Sequence, residues 1–361
     1  MAAAAAASRG PVLLVESMQL PREKSCGGML NEYAQAFIAN TLHTSLPEEL
    51  LVGPDTVHFC FHDFDRSLRK PTKLAFRNVE RARFDEWLLG FLPENVDVAG
   101  NTRLVGLDAH RSGVEVTLRQ TDEPHGERVT LSCDYVVGAD GPMSTTRSLL
   151  PVSQLAHYKT LQDFVPLTGD IEPYFNCIYA RNIGGGYGYG YVVPKGDVAL
   201  IGSVFYPKSR NVRQLHEQAL ELYRSFYAYG AQTLKREAWS AISVTSVEHI
   251  VGGYGRVLLA GEAGGIFSPT SGEGISFALN SGTYAGEAIA AAREDATTVG
   301  KRAAGTHEES DALRRYRAAL GPIRKTIGRR LRIFPIIDSD WGKWLGGIMP
   351  DAIVDRTAHM I

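Results

Sequence analysis

Cysteine is scarce. The 361 residues hold Cys26, Cys60, Cys133 and Cys177, and no two of them form a CxxC pair. That dispersal excludes a zinc ribbon and a thioredoxin-type redox motif, and it suits a reduced, cytoplasmic protein. The ten histidines show no HExxH or other metal spacing, so no metal is expected. No GxSxG elbow occurs, which argues against a hydrolase of that type. No apolar run reaches about 18 residues, so no spanning helix is expected. The run Ala2–Ala7 is short and lacks a basic region before it, so it does not read as a signal peptide; by propensity it is helix, stopped at Arg9-Gly10-Pro11. Neither acidic nor basic residues dominate. Thirty-eight basic against 40 acidic residues leave a formal charge of -2, with no basic field for a nucleic acid backbone. An anionic ligand would need local donors, such as helix ends and single arginines.

What is present is an ordinary globular composition, 44% hydrophobic and 22% charged, enough for one large domain or two intimate ones. Val12-Leu13-Leu14-Val15 is a wholly apolar run ending at Glu16. It suits a buried parallel strand whose last residue reaches a crevice at the carboxyl end of a sheet. Residues 31–38 and 81–92 read as helices, the second with an apolar face of Phe84, Trp87, Leu88 and Phe91. Residues 51–80 read as strands, and residues 96–137 as a strand meander. A second apolar strand runs through Val136 and Val137 into an Asp-Gly turn, with Ser144 and Arg147 on a following helix. Residues 155–250 look like a separate sheet with one helix, 212–229. A third buried strand, 256–260, opens into a Gly-rich segment and a helix of small residues through Ala291. From Ser310 the chain is helical and basic, and from Leu331 apolar and aromatic.

Strand–glycine turn–helix units lie at both ends, with sheet-rich segments between. The expected fold class is therefore α/β: a doubly wound domain assembled from separated segments and interrupted by a mainly β substrate domain, with a helical C-terminal region. The expected boundaries are 1–50, 81–154 and 251–300 for the first domain, 51–80 and 155–250 for the second, and 301–361 for the tail.

Three segments carry chemistry. In Gly261-Glu262-Ala263-Gly264-Gly265, followed by Pro269, Gly272 and Gly274, small residues let backbone N–H groups face an anion or an aromatic ring, and the next helix adds its partial positive charge. Asp140-Gly141 puts a carboxylate just beyond a strand, where it can accept from hydroxyls; Arg147 is placed to brace the turn. Tyr189 and Tyr191 alternate along a strand and so share a face. That face either roofs an apolar pocket or serves cross-strand packing. Cys26, flanked by Lys24 and Gly27-Gly28, is the best candidate for a nonstructural thiol. Lys195-Gly196-Asp197 reads as a turn, and either Arg81 or Arg83 could reach a ligand.

Taken together, the segments resemble the flavoprotein group that contains geranylgeranyl reductases and aromatic-hydroxylase-like monooxygenases. Pro21-Arg22-Glu23-Lys24-Ser25-Cys26-Gly27-Gly28 resembles the reductases' PxxKxCGG. Val137–Gly141 with Ser144 and Arg147 resembles VGADGxxSxxR, and Gly261–Gly274 resembles GDAAGxxxPxxGEGI. Tyr189-Gly190-Tyr191-Val192-Val193-Pro194 is similar to YxWxFP. Cys26-Gly27-Gly28-Met29-Leu30, Phe84-Asp85-Glu86-Trp87-Leu88, Gly261-Glu262-Ala263-Gly264 and Glu273-Gly274-Ile275-Ser276-Phe277-Ala278-Leu279 bear a closer likeness to the bacterial CbrA-type proteins, which also carry Glu at the position of Glu262. The resemblance implies an FAD-dependent oxidoreductase of aromatic-hydroxylase-like architecture. FAD would contact Glu16, Arg22, Cys26, Gly27, Gly28, Arg81, Asp140, Gly141, Gly261, Glu262, Gly264, Gly265, Pro269, Gly272 and Gly274. Cys26, Tyr189 and Tyr191 would serve catalysis. NAD(P)H or another donor would reduce the flavin, and the substrate would be an isoprenoid or other apolar small molecule or prenyl lipid, with peripheral membrane contact. An aromatic monooxygenase and a catalytically impaired binding protein are the alternative expectations. No GxGxxG precedes Glu16, where the resemblance implies one about 20 residues upstream; the chain reads as N-terminally incomplete, and weak FAD binding is expected.

Overall fold

A computed structural model describes residues 10–123, 126–299 and 309–339, together with 341, 342, 344, 345, 349, 353 and 355. The helix expected at Ala2–Ala7 lies outside them. The chain divides into two units, one drawn from Met1–Arg22, Phe84–Leu155 and Val244–Leu331, the other from Glu23–Arg83, Ala156–Ser243 and Arg332–Ile361.

In the first unit the short apolar runs become parallel strands. Val12–Val15 pairs in parallel with Val96–Ala99, and Val257–Leu259 pairs in parallel with Val136–Gly138. Residues 96–137 are therefore not one meander. Only Thr102–Ala109, Val114–Gln120 and Arg128–Cys133 form the antiparallel meander. Alternation identifies strands but not their partners, and those at either end pair with distant segments. Val114, Val116 and Leu118 alternate inward and pack with Leu150, Val257, Leu259 and Ala263. Helices Ile275–Val299, Asp311–Ala319 and Gly321–Asp338 follow. Ser310 caps the second of these, accepting from Leu313 N at 3.2 Å. Among the described residues no helix is long and apolar enough to cross a membrane.

The second unit is built on an eight-stranded sheet in the order Lys235–Ser243, Ala156–Pro166, Val198–Phe205, Tyr187–Lys195, Tyr174–Tyr179, Leu51–Asp63, Leu68–Val79, Met29–Leu30. All neighbours are antiparallel except Tyr174–Tyr179 with Leu51–Asp63. Helix Val212–Arg224 packs on one face, where Ala219, Leu220 and Tyr223 meet Ile178, Val192, Ile201 and Phe205. Period-two alternation sends the intervening residues to the opposite face.

Two consecutive cross-strand pairs tie Ala156–Pro166 to Lys235–Ser243. Asp163 sits opposite Arg236 on the helix face, and Gln162 opposite Glu237 on the other. The Asp163 carboxylate is fully buried. It receives Arg236 through Nε and NH2, both at 2.7 Å, Thr233 Oγ1 at 2.8 Å and His216 Nε2 at 3.2 Å; His216 Nδ1 meets Ser203 Oγ at 2.8 Å. A one-residue slip would turn both pairs to the wrong faces, so this network specifies register.

Candidate functional site

In the first unit, the expected cofactor residues sit on three turns. Glu16 ends strand Val12–Val15 and is buried. Its Oε2 accepts from Arg22 Nε at 2.6 Å, and its Oε1 from Met18 N and Ser17 Oγ at 3.1 Å. Arg22 also lies 3.7 Å from Asp85. Asp140 follows strand Val136–Gly138 and accepts from Ser144 Oγ at 2.5 Å, Thr146 N at 2.9 Å and Thr146 Oγ1 at 3.0 Å. A carboxylate offers about four acceptor sites, so each acid has one that these three bonds do not use. Ser144 caps the short helix Thr145–Ser148 rather than lying within it, its Oγ accepting from Arg147 N.

Arg147 does brace the turn. It is 3% exposed and donates to Ala263 O at 2.9 Å, Ser153 O at 2.8 Å and His249 O at 3.1 Å. Burial lowers its pKa to about 10, so it stays charged at neutral pH. Arg147→Met should strip these carbonyls of their donor and cost about 3 kcal/mol, read as a lowered thermal midpoint. An unchanged midpoint would refute the brace.

The Gly-rich segment has two jobs. Gly261 and Gly265 are buried with φ of +56° and +76°. A Cβ at Gly261 would stand 3.2 Å from Ala278 Cβ, and one at Gly265 would collide with His249 O. These two glycines are explained by packing. Gly264 is also packed, against Leu259 O. Gly141, with φ +75°, faces open space, and Gly272 and Gly274 precede the 25-residue helix Ile275–Val299. Glu273 is held by Arg330 at 3.1 Å and by Ser276 Oγ. Glu262 is half-buried beside them in sequence, and Pro269 sits in the same loop. The helix's first turn has N–H groups with no partner inside the helix. Open backbone at Gly141, acceptors at Asp140 and Glu16, and a helix start suited to an anion fit the donor and acceptor needs of FAD.

In the second unit, Cys26, Gly27, Gly28, Arg81, Tyr189 and Tyr191 all occur. Cys26 Sγ accepts from Gly28 N at 3.4 Å. Burial pushes its thiol pKa up, but the Arg81 charge, the Gly28 N–H, Lys24 and an Arg81 hydrogen bond outweigh that, and the net shift is downward. Arg81 starts helix Arg81–Leu89, whose first N–H groups are held by Glu80: Ala82 N at 3.2 Å and Arg83 N at 2.8 Å. Cys26 and Arg81 line a small cleft of about 50 Å³ with Lys24, Gln162, Lys195 and Glu237, among others.

Tyr189 and Tyr191 do share the sheet face away from helix Val212–Arg224. Tyr191 stacks on Phe175 at 5.6 Å, Phe175 on Phe59 at 6.1 Å, and Tyr189 lies 6.4 Å from Tyr179. The Tyr191 ring lies over Gly202, where any Cβ would collide with it. Tyr191 Oη donates to Gln162 Oε1 at 2.8 Å, and Gln162 Nε2 to Glu237 Oε2 at 2.6 Å. Burial lifts both tyrosine pKa values well above the usual range.

Sequence reasoning missed Gln162, Glu237 and Lys195. Lys195 is the last residue of its strand and not part of the turn, which falls at Gly196 with φ +63°. Its parity with 189, 191 and 193 was the available signal. Gln162 has no local signal, since only strand pairing brings it to Tyr191.

Residues 92–300, more than half of the chain, match the family described as FAD binding domain. The chain belongs to this FAD-binding family. Its cofactor is accordingly FAD, and its class is FAD-dependent oxidoreductase. Among its relatives, Protein CbrA of Escherichia coli (strain K12) is 27% identical over 266 residues, covering 72% of this chain and 70% of CbrA. The fold is that of a geranylgeranyl bacteriochlorophyll reductase-like protein from Thermoplasma acidophilum, with TM-score 0.74, 18% identity, and coverage of 99% of this chain and 87% of the other. OxyS anhydrotetracycline hydroxylase from Streptomyces rimosus shares it with TM-score 0.64, 20% identity, and coverage of 99% and 70%. The resemblance read from the motifs therefore holds at the level of family and fold.

Proposed function

We propose that this member of the FAD-binding family reduces carbon–carbon double bonds of an isoprenoid or related apolar substrate, with a nicotinamide or similar donor as the electron source. The observation that carries this reading is the aromatic sheet face of the second unit. Phe59, Phe61, Phe175, Tyr179, Tyr189 and Tyr191 lie on it. Stacked rings of this kind offer an apolar surface to an unsaturated chain, and the Tyr191 hydroxyl is already engaged by Gln162. Such a substrate also fits contact with a membrane surface.

Bound FAD supplies a two-electron carrier, for which Glu16, Arg22, Asp140, Gly141 and the Gly261–Gly274 segment are the holding residues. The chain's own groups divide the remaining work. Tyr189 and Tyr191 stay protonated at physiological pH, so they orient by ring contact and by the Tyr191 hydroxyl. Cys26, whose thiol loses its proton more readily than an ordinary one, holds or releases a proton at Sγ. A pKa near the working pH is what such a group needs.

Anaerobic incubation with FAD, a nicotinamide donor and geranylgeraniol tests the reading. A saturated product is expected. A hydroxylated product formed only when oxygen is admitted would favour the monooxygenase chemistry, and binding without turnover would favour a non-catalytic role.

A further inference from the structure

Lys195 is the one charged side chain at the end of the tyrosine strand, and it is drawn inward. Its Nζ donates to Val79 O at 2.7 Å. The backbone between it and Cys26 is Gly28, held at φ +66°, a left-handed conformation that suits glycine. A Cβ on Gly28 would stand 2.8 Å from Lys195 Nζ and would collide with Val79 O. The same Gly28 gives its N–H to Cys26 Sγ. One glycine thus touches both groups, and both line the cleft of about 50 Å³.

We infer that Lys195 is the positioning residue of Cys26: its ammonium and the thiol lie on either side of Gly28 and line one cleft. The inference rests on the reading of Cys26 as a site residue and adds the group that sets its protonation. Burial lowers the Lys195 pKa to about 8, while the negative charges of Cys26 and Glu80 act against that fall. Electrostatic coupling is reciprocal, so an ammonium favoured by the thiolate must favour the thiolate in return.

The other charges facing Cys26 in the cleft are accounted for. Lys235 is paired with Glu23 at 2.5 Å and with Glu237 at 2.7 Å. Glu80 caps helix Arg81–Leu89. Lys24 and Arg81 are the leading cations on Sγ; Lys195 is the further one that the fold sets against Gly28 in the same cleft. Removing a cation near an acid raises the acid's pKa. The thiolate fraction at neutral pH then falls, and with it the rate of alkylation.

The test uses the full chain and needs neither flavin nor substrate, so a failed reductase assay leaves it intact. Iodoacetamide alkylation of Cys26 is followed by peptide mass spectrometry between about pH 5 and 9, which separates it from the other three thiols. In the wild type the rate should rise at a pH below that of an ordinary thiol. Lys195→Met should slow alkylation at neutral pH by about 3- to 10-fold, as a half to one pKa unit requires. Lys195→Gln, which keeps a donor for Val79 O, should behave like Met, and Lys195→Arg should restore the wild-type profile. The inference is overturned if Lys195→Met and Lys195→Gln leave the inflection unmoved, or if Lys195→Arg fails to restore what they lose.

Discussion

Asp163→Ala is expected to destabilise the second unit by about 3–5 kcal/mol, the range for breaking a buried ion pair by removing one partner. Arg236 would lose a bidentate acceptor, and His216 and Thr233 would each lose a partner inside the sheet. The pH dependence has a defined sign. Burial raises the Asp163 pKa, but the bonds from Arg236, His216 and Thr233 outweigh it, and the net shift is well below the usual carboxylate value. A carboxylate depressed on folding contributes its full stability above its unfolded pKa of about 3.9 and loses it as pH falls toward the folded value. The gap between wild type and Asp163→Ala should therefore be widest near neutral pH and narrow below about pH 4. Urea unfolding at several pH values measures it. A gap of constant width would show that the carboxylate charge is not what the network uses.

Cys26→Ser is expected to lower turnover in the proposed reduction by about 10²-fold, the lower bound for loss of a positioned acid–base group. Serine keeps the shape and the hydrogen bond from Gly28 but does not ionise at physiological pH. The experiment also separates the two roles expected of Cys26. With FAD supplied in excess, a retained flavin absorbance band and lost turnover assign the thiol to chemistry. Lost flavin binding assigns it to the cofactor. Unchanged turnover would remove Cys26 from the active groups altogether.

Much of this was legible in residue order because it rests on local rules. The strand–glycine turn–helix units at Val136–Gly141 and Val257–Gly274 follow from apolar runs, turn glycines and a helix start, and the structure has each of them. The shared face of Tyr189 and Tyr191 follows from the two-residue period of a strand. Pairing was not legible. Val96–Ala99 looks like any meander strand but joins Val12–Val15 in parallel. Gln162 looks like any polar strand residue but ends under Tyr191. Arg147 suggested a local brace, yet its acceptors Ala263 and His249 lie over 100 residues away.

Residue order by itself determined the family, the cofactor class and the faces of individual elements, since backbone sterics, turn chemistry and periodicity act over a few residues. Tertiary structure decided which glycines are packed and which are open, what each buried charge is paired with, and that Lys195 and Cys26 both lie against Gly28. Those outcomes depend on desolvation and on contacts between segments far apart in the chain, and no local pattern encodes either.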